Sequence, residues 1–288
     1  MTEFKNIGLY TSSVNSEKIF IARQIEEILN NKGCKVLYDS SYTKSTGKRK
    51  IKTYSERYLS SKCDLIISIG GDGTMLSCSR FYGVKGIPVL GINLGKLGFL
   101  TDIAPDELTT KLQEVISGQY KLDKRFFLQT RLKGIKKNYI ALNEVVIHSG
   151  AIAQLIEYDL FIDGVFVFRQ KADGLIISSP TGSTAYSLSG GGPIVHPDLD
   201  AISIVPMFPH SLSSSPLVVN ADSQIKIVTV GTKNKASLSF DSHNSLLIPG
   251  ENEINISKSS SMLNLLHPTG HDFYDGCRNK LGWSSGIV

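Results

Sequence analysis

The sequence predicts an α/β N-terminal domain on a doubly wound, mostly parallel sheet, followed by a mainly β C-terminal domain of stacked sheets or a sandwich. Three observations carry this. Over the first 120 residues, apolar runs of strand length alternate with helical patterns four times. Near residue 120 the period changes from helical to alternating. One apolar run, Leu65-Ile66-Ile67-Ser68-Ile69, breaks into Gly70-Gly71-Asp72-Gly73-Thr74 just before a helical pattern, as at the carboxyl edge of a parallel sheet, where ligands bind.

Residues 6–10 read as the first strand. Residues 16–31 read as a helix with Ile19, Ala22, Ile25, Ile28 and Leu29 towards the core, closed by Gly33. Residues 34–38 form a second strand. The polar segment 39–52, with Lys44, Lys48, Arg49, Lys50 and Lys52, reads as a mobile solvated loop that is able to close over phosphates. After the glycine-rich turn, 74–82 is helical and 87–92 is another buried strand. Pro105, Asp106 and Glu107 open a helix that ends at Gly118.

Strand patterns follow at 126–132, 139–148, 155–163 and 165–169, with Asp163-Gly164 as a two-residue hairpin turn. They continue at 202–205, 217–219, 224–230, 236–241 and 253–257. The expected organisation is residues 1–120 as the α/β domain, 121–265 as the β domain, and 266–288 as a tail packing back on the first.

The 288 residues suffice for proper cores, and 41% apolar with 20% charged residues describes an ordinary globular chain. There is no run of about 18 apolar residues and no signal-peptide pattern, so the chain reads as cytoplasmic and not membrane-bound. Cys34, Cys63, Cys78 and Cys277 stand singly, as reduced buried thiols rather than a zinc or disulfide framework. A net charge of +5 fits a small polyanion such as a nucleotide. Nucleic acid would call for a denser basic face with interleaved aromatics.

Gly70, Gly71, Gly73 and Thr74 suit phosphate. Glycine leaves no side chain between backbone N–H groups and an anion, and the helix that follows aims its positive end at the same place. Asp72 repels phosphate unless it holds a metal or takes a proton from an attacking hydroxyl. A plain strand-to-helix turn is the bland alternative. Within the β half, residues 178–193 are small, hydroxylated and glycine-rich, suited to wrapping a flat polar ligand with Tyr186 over one face. A surface loop of Ser and Thr turns is the alternative there. Asn143-Glu144 offers an amide and a carboxylate for ribose hydroxyls.

Taken in order, five stretches resemble the ATP-dependent NAD kinase family over nearly the whole chain. They are Gly70-Gly71-Asp72-Gly73-Thr74, Leu94-Gly95-Lys96-Leu97-Gly98-Phe99-Leu100-Thr101-Asp102, Asn143-Glu144, residues 173–193 and the closing Lys280-Leu281-Gly282-Trp283. The resemblance implies transfer of the γ-phosphoryl group of ATP to the 2′-hydroxyl of the adenosine ribose of NAD, giving NADP. It makes Asp72 the catalytic proton acceptor, with Gly73 beside the dinucleotide. NAD contacts fall on Asn143, Glu144, Asp173, Thr184, Ala185, Tyr186, Ser187, Leu188 and Ser189, and Thr181 and Phe99 line the adenosine side. Gln154, Lys171 and His243 match further contacts. The family's usual homodimers or homotetramers follow as the expected assembly. Two departures stand out: His243 where many bacterial members have glutamine, and Ser215 where they often have arginine.

A carboxylate is a weak base for a ribose hydroxyl, so Asp72 accepts the proton late and positioning supplies most of the acceleration. Mg²⁺ is expected to bridge the triphosphate, without a dedicated protein ligand, since no carboxylate cage is visible. Two rivals stay open. One is a lipid or sugar kinase sharing the glycine turn, which leaves 181–192 unexplained. The other is a non-catalytic dinucleotide-binding regulator. A nicotinamide dehydrogenase fits poorly, because the first strand-to-helix turn lacks the glycine fingerprint.

Overall fold

A computed structural model describes residues 3–44, 51–95, 98–149, 155–211, 214–231, 236–248 and 250–283. The chain divides into two compact units, Met1–Lys124 with Ser261–Val288, and Arg125–Ser260.

In the first unit, strand β1 (Asn6–Tyr10) leads into helix α1 (Ser16–Asn31). The Asn15 side chain caps α1 by accepting the Lys18 N–H at 2.8 Å, and Gly33 ends it with φ +79°. Then come β2 (Lys35–Asp39), β3 (Thr53–Tyr54), α2 (Glu56–Lys62), β4 (Leu65–Ile69), α3 (Asp72–Phe81), β5 (Val89–Ile92) and α4 (Leu108–Ile116). Strand β6 (Tyr120–Leu132) carries the chain into the second unit. The strands lie parallel in the order β5, β4, β1, β2, β3.

Ile21, Ala22, Ile25 and Leu29 of α1 and Leu108, Leu112, Val115 and Ile116 of α4 share one core with Ile7, Leu9, Ile67, Leu90 and Ile92. Successive strand residues point to opposite faces. Gly91 therefore faces away from that core, and a Cβ there would come within 2.6 Å of Met75 Cε of α3. Helices thus cover both faces, the doubly wound arrangement expected.

Three local expectations needed correction. Helix α3 begins at Asp72 rather than Thr74, because Gly71 is its extended N-cap and an acid in the first turn complements the helix dipole. Helix α2, capped by Ser55, went unread because seven residues carry little periodicity. The segment from residue 39 starts inside the protein. Asp39 and Tyr42 are buried, and Asp39 accepts hydrogen bonds from the Tyr82 hydroxyl and the Ser41 N–H. Residues 45–50, with Lys48, Arg49 and Lys50, lie outside the described residues.

The second unit continues with β7 (Tyr139–Ala141), β8 (Glu144–His148), β9 (Ile156–Ile162), β10 (Val165–Ala172), β11 (Gly174–Ser178) and the single-turn α5 (Tyr186–Ser189). After these come β12 (Ala201–Met207), β13 (Leu217–Asn220), β14 (Ile225–Val230), β15 (Ala236–Phe240), β16 (Asn244–Ile248) and β17 (Glu253–Pro268). Its described pairings are all antiparallel. One sheet runs β10, β9, β14, β17, and a second runs β13, β12, β11, β8, β15, β16. Asp163 and Gly164 turn the β9–β10 hairpin with φ of 52° and 80°, the primed geometry their types favour.

Strand β17 then carries the chain back into the first unit, where Leu265 and Leu266 pair parallel with Val89 and Leu90. Helix α6 (Phe273–Leu281), capped by Asp272, closes the described chain. All four cysteines are buried and none is in a disulfide. No helix among the described residues is long and apolar enough to cross a membrane.

Candidate active site

In the first unit the site forms where β4 passes into α3. Gly70 has φ +146°, in the region that disfavours side chains, and a Cβ there would come within 2.5 Å of Thr74 Oγ1. The Thr74 hydroxyl in turn lies 2.9 Å from that of Ser12. Ideal Cβ positions at Gly71 and Gly73 meet nothing within 4 Å among the described residues, which leaves an anion room there beside the start of α3.

The Asp72 carboxylate turns to the loop after β5. Its Oδ1 accepts from the Leu100 N–H at 3.1 Å and the Thr101 hydroxyl at 3.3 Å, and its Oδ2 accepts from the Phe99 N–H at 3.0 Å. Lys280 of α6 donates to the same Oδ2 at 2.8 Å. Any side chain at Gly98 would overlap the carboxylate. The two glycine-rich stretches of the sequence are therefore one constellation, built around Asp72. Lys96 and Leu97 of the second stretch lie outside the described residues.

A second cluster of the first unit lies at the end of β17. His267 Nδ1 and His271 Nδ1 stand 2.9 Å and 2.8 Å from Asp102 Oδ2, and His267 Nε2 faces Asp123 Oδ2 at 3.5 Å. Burial alone would raise the Asp102 carboxyl, but the two histidines outweigh it and bring it down to about 2. Burial likewise works to lower the His267 pKa, and Asp102 and Asp123 outweigh it, leaving it raised. Ligand atoms of Asp102, His267 and His271 lie within 4.8 Å of one another. However, the two rings stack 3.6 Å apart and 11° from parallel, so an ion shared between them would lie off both ring planes. The arrangement suits a doubly hydrogen-bonded carboxylate better than a metal centre.

In the second unit a separate polar cluster centres on the break between β7 and β8. The sequence reads 139–148 as one strand, but Asp241 interrupts it. This buried side chain accepts from the Leu142, Asn143 and Glu144 N–H groups at 3.0, 2.8 and 3.3 Å. Asp241 and Ser242 turn the β15–β16 hairpin with φ of 50° and 57°, a conformation Asp tolerates better than most residues. The Asn143 carbonyl accepts from the Ser179 N–H at 2.9 Å. Gly182 packs so close to that carbonyl that a Cβ would overlap it. Arg125, itself buried, donates to the Thr181 hydroxyl at 3.3 Å.

Asn143 Oδ1, Glu144 Oε2 and Ser187 Oγ are buried without a hydrogen-bond partner among the described residues. Buried polar atoms are normally paired, so this group is what a polar ligand would satisfy. Burial first, and then the charge of Asp241, push the Glu144 carboxyl up to about 8 against a weaker opposing hydrogen bond from the Tyr186 backbone. Glu144 thus keeps its proton to about pH 8 when folded and loses it near 4.5 when unfolded. Stability therefore falls as pH rises from about 4.5 through about 8. Glu144→Gln is expected to flatten the decline of Tm across that window; parallel curves for variant and parent would refute it.

The unit gathers Asn143, Glu144, Thr181 and the run Thr184, Ala185, Tyr186, Ser187, Leu188 and Ser189 around the Glu144 end of β8, where Glu144 pairs with Ser178. His243 belongs there too, its Nδ1 3.0 Å from the Asp241 carbonyl. Lys171 and Asp173 are not brought to them. They flank the other end of β11, where Gly174 pairs with His148, roughly 14 Å away along the strand. There Lys171 pairs with Glu157 at 3.3 Å. Gln154 lies outside the described residues. Sequence reasoning missed Asp241, whose only signal was an Asp-Ser turn between strand patterns. It also missed the Asp102 cluster, signalled by a His-x₃-His spacing, and any role for Lys280.

Residues 7–120 match the ATP-NAD kinase N-terminal domain and residues 142–267 the ATP-NAD kinase C-terminal domain. A NAD kinase of Teredinibacter turnerae is 42% identical over 289 residues, 99% of each chain. One of Pseudomonas fluorescens is 43% identical, covering 99% of this chain and 98% of its own. Among solved structures, yeast NADH kinase with NADH aligns at TM-score 0.88 and 28% identity, over 99% of this chain and 89% of its own. An Archaeoglobus fulgidus NAD kinase with ATP aligns at TM-score 0.74 and 26% identity, over 96% and 97%.

Proposed function

Because this chain belongs to the ATP-NAD kinase family and phosphorylates NAD to NADP with ATP, we propose that Asp72 accepts the proton of the acceptor ribose hydroxyl as the γ-phosphoryl group is transferred. The observation that carries this is a carboxylate held at the start of α3 beside two open glycines. Phosphate oxygens approach the bare N–H groups and the positive helix end, while Asp72 orients the attacking oxygen and takes its proton late. The hydroxyl oxygen bonds to the γ-phosphorus, the bond to the bridging oxygen breaks, and ADP leaves with that electron pair.

Asn143, Glu144 and Ser187 carry the unpaired buried atoms, and we assign them, with Thr181 and the Thr184 to Ser189 run, to the acceptor dinucleotide. Protonated Glu144 has a hydrogen to donate to a ribose oxygen. Phe99 is assigned to the adenosine. By the family resemblance Gln154 and His243 join the proposed contacts, whereas Lys171 and Asp173, roughly 14 Å away along β11, could reach only a distant part of the dinucleotide. Mg²⁺ would enter with the nucleotide substrate and offset phosphate charge, and no dedicated protein ligand is assigned to it. A homodimer or homotetramer follows from the family resemblance.

Product analysis tests the reading, with ATP as donor and NAD, NADH, a sphingoid base or a sugar phosphate as acceptor. NAD should give NADP and ADP in equal amounts. NADH is included because one structural relative is an NADH kinase. Phosphorylation of only the lipid or the sugar would overturn the assignment.

A further inference from the structure

Helix α6 reaches Asp72 from 208 residues away in the sequence. Its seat is the Phe99 ring, 6.3 Å from that of Phe273, and a Cβ at Gly276 would stand only 3.2 Å from the edge of the Phe99 ring. From this seat Lys280 Nζ donates to Asp72 Oδ2 at 2.8 Å and lies 4.9 Å from the centre of the Phe99 ring. The carboxylate then holds four donors, two on each oxygen. An Asp offers about four lone-pair directions, so none is left for a substrate hydroxyl. One donor has to leave before Asp72 takes a proton.

The candidates differ in mobility. The Phe99 and Leu100 N–H groups belong to the loop that the carboxylate itself closes, and Thr101 is fully buried. Lys280 hangs on a flexible four-carbon stem with its side chain 28% exposed. Surface ion pairs of this kind contribute little stability, so exchanging the partner costs little. A cavity of about 380 Å³, lined in part by Gly98, Phe99, Lys111, Gly276 and Lys280, leaves the stem room to move.

We propose that Lys280 is a phosphate-binding residue that occupies Asp72 in the nucleotide-free enzyme and passes to the triphosphate of ATP when it binds, freeing Asp72 Oδ2 for the acceptor hydroxyl. The ammonium exchanges one anionic oxygen for another and gives up no proton; the hydroxyl proton goes to Asp72. Once on the phosphate, Lys280 offsets charge on the group in transfer. The proposal rests on the reading of Asp72 as proton acceptor.

The test is the affinity of a non-hydrolysable ATP analogue with Mg²⁺, measured without NAD. Lys280→Met should weaken it about tenfold, the scale of one charge-assisted hydrogen bond, and leave NAD affinity unchanged, while Lys280→Arg should restore most of it. The same Met substitution placed in Asp72→Asn, where Lys280 has no carboxylate to leave, should weaken the analogue by at least that factor. Unchanged analogue affinity on both backgrounds would overturn the proposal. So would a joint loss of analogue affinity, NAD affinity and Tm in both the Met and Arg variants, which marks Lys280 as merely holding α6. Failure of the Asp72 reading shows separately, as parental turnover in Asp72→Asn alone.

Discussion

Asp72→Asn is expected to lower kcat by about a hundredfold or more, the usual scale for a general base, and to leave NAD affinity near normal. The structural cost of the substitution must be separated from the chemical one. Asn keeps one acceptor oxygen, so its amide nitrogen would face either the Phe99 N–H and Lys280 or the Leu100 N–H and the Thr101 hydroxyl. A donor facing donors costs on the order of 1–3 kcal/mol when buried, and that loss would appear in Tm and in the order of the 98–101 loop. A hundredfold loss of rate is about 2.7 kcal/mol of transition-state stabilisation and would appear in single-turnover rates at saturating substrate. Turnover near the parental rate, whatever happens to Tm, would remove Asp72 from the chemistry.

Asp241→Ala is expected to cost about 3 kcal/mol or more of local stability. Three N–H groups, those of Leu142, Asn143 and Glu144, lose their acceptor at one stroke, and Asp241 is only 2% exposed, so water cannot readily replace it. A chain of two compact units is poorly described by a single unfolding transition. The sharper measurement is therefore hydrogen exchange at these three amides, which should lose most of its protection. Asp241→Asn, retaining one oxygen, should lose less. Removal of the neighbouring charge should also let the Glu144 carboxyl fall from about 8. Unchanged exchange in the alanine variant would show that the β7–β8 break is held by something else.

What the sequence made legible follows from how local each signal is. The turn from Gly70 to Thr74 could be read because positive φ, open approach and a helix start are written into consecutive residues. Its docking on residues 98–101 could not be derived from periodicity, since nothing local says that Gly98 is small to admit the Asp72 carboxylate. The fusion of two such distant stretches is a property of the parallel sheet, which sets β4 beside β5 and brings the ends of both to one edge. Asp241 is the opposite case: its turn geometry was readable, but its three acceptor bonds reach nearly a hundred residues back. The helix start at Asp72 moved by two residues because an extended glycine cap is not distinguishable from a loop glycine in the sequence.

Strand β17 also has a consequence for biosynthesis. The chain through residue 124 contains β5, but the β17 segment that pairs with it through Leu265 and Leu266 is translated well over a hundred residues later. So is Leu263, which fills the space above Gly83. During elongation the nascent first unit therefore carries an apolar strand edge left open at Val89 and Leu90, with Ile92 alone bridged to Ile103, the kind of surface on which unfinished chains aggregate. Any premature stop before residue 261 would leave that edge uncovered for good, favouring chaperone capture or proteolysis over a soluble fragment.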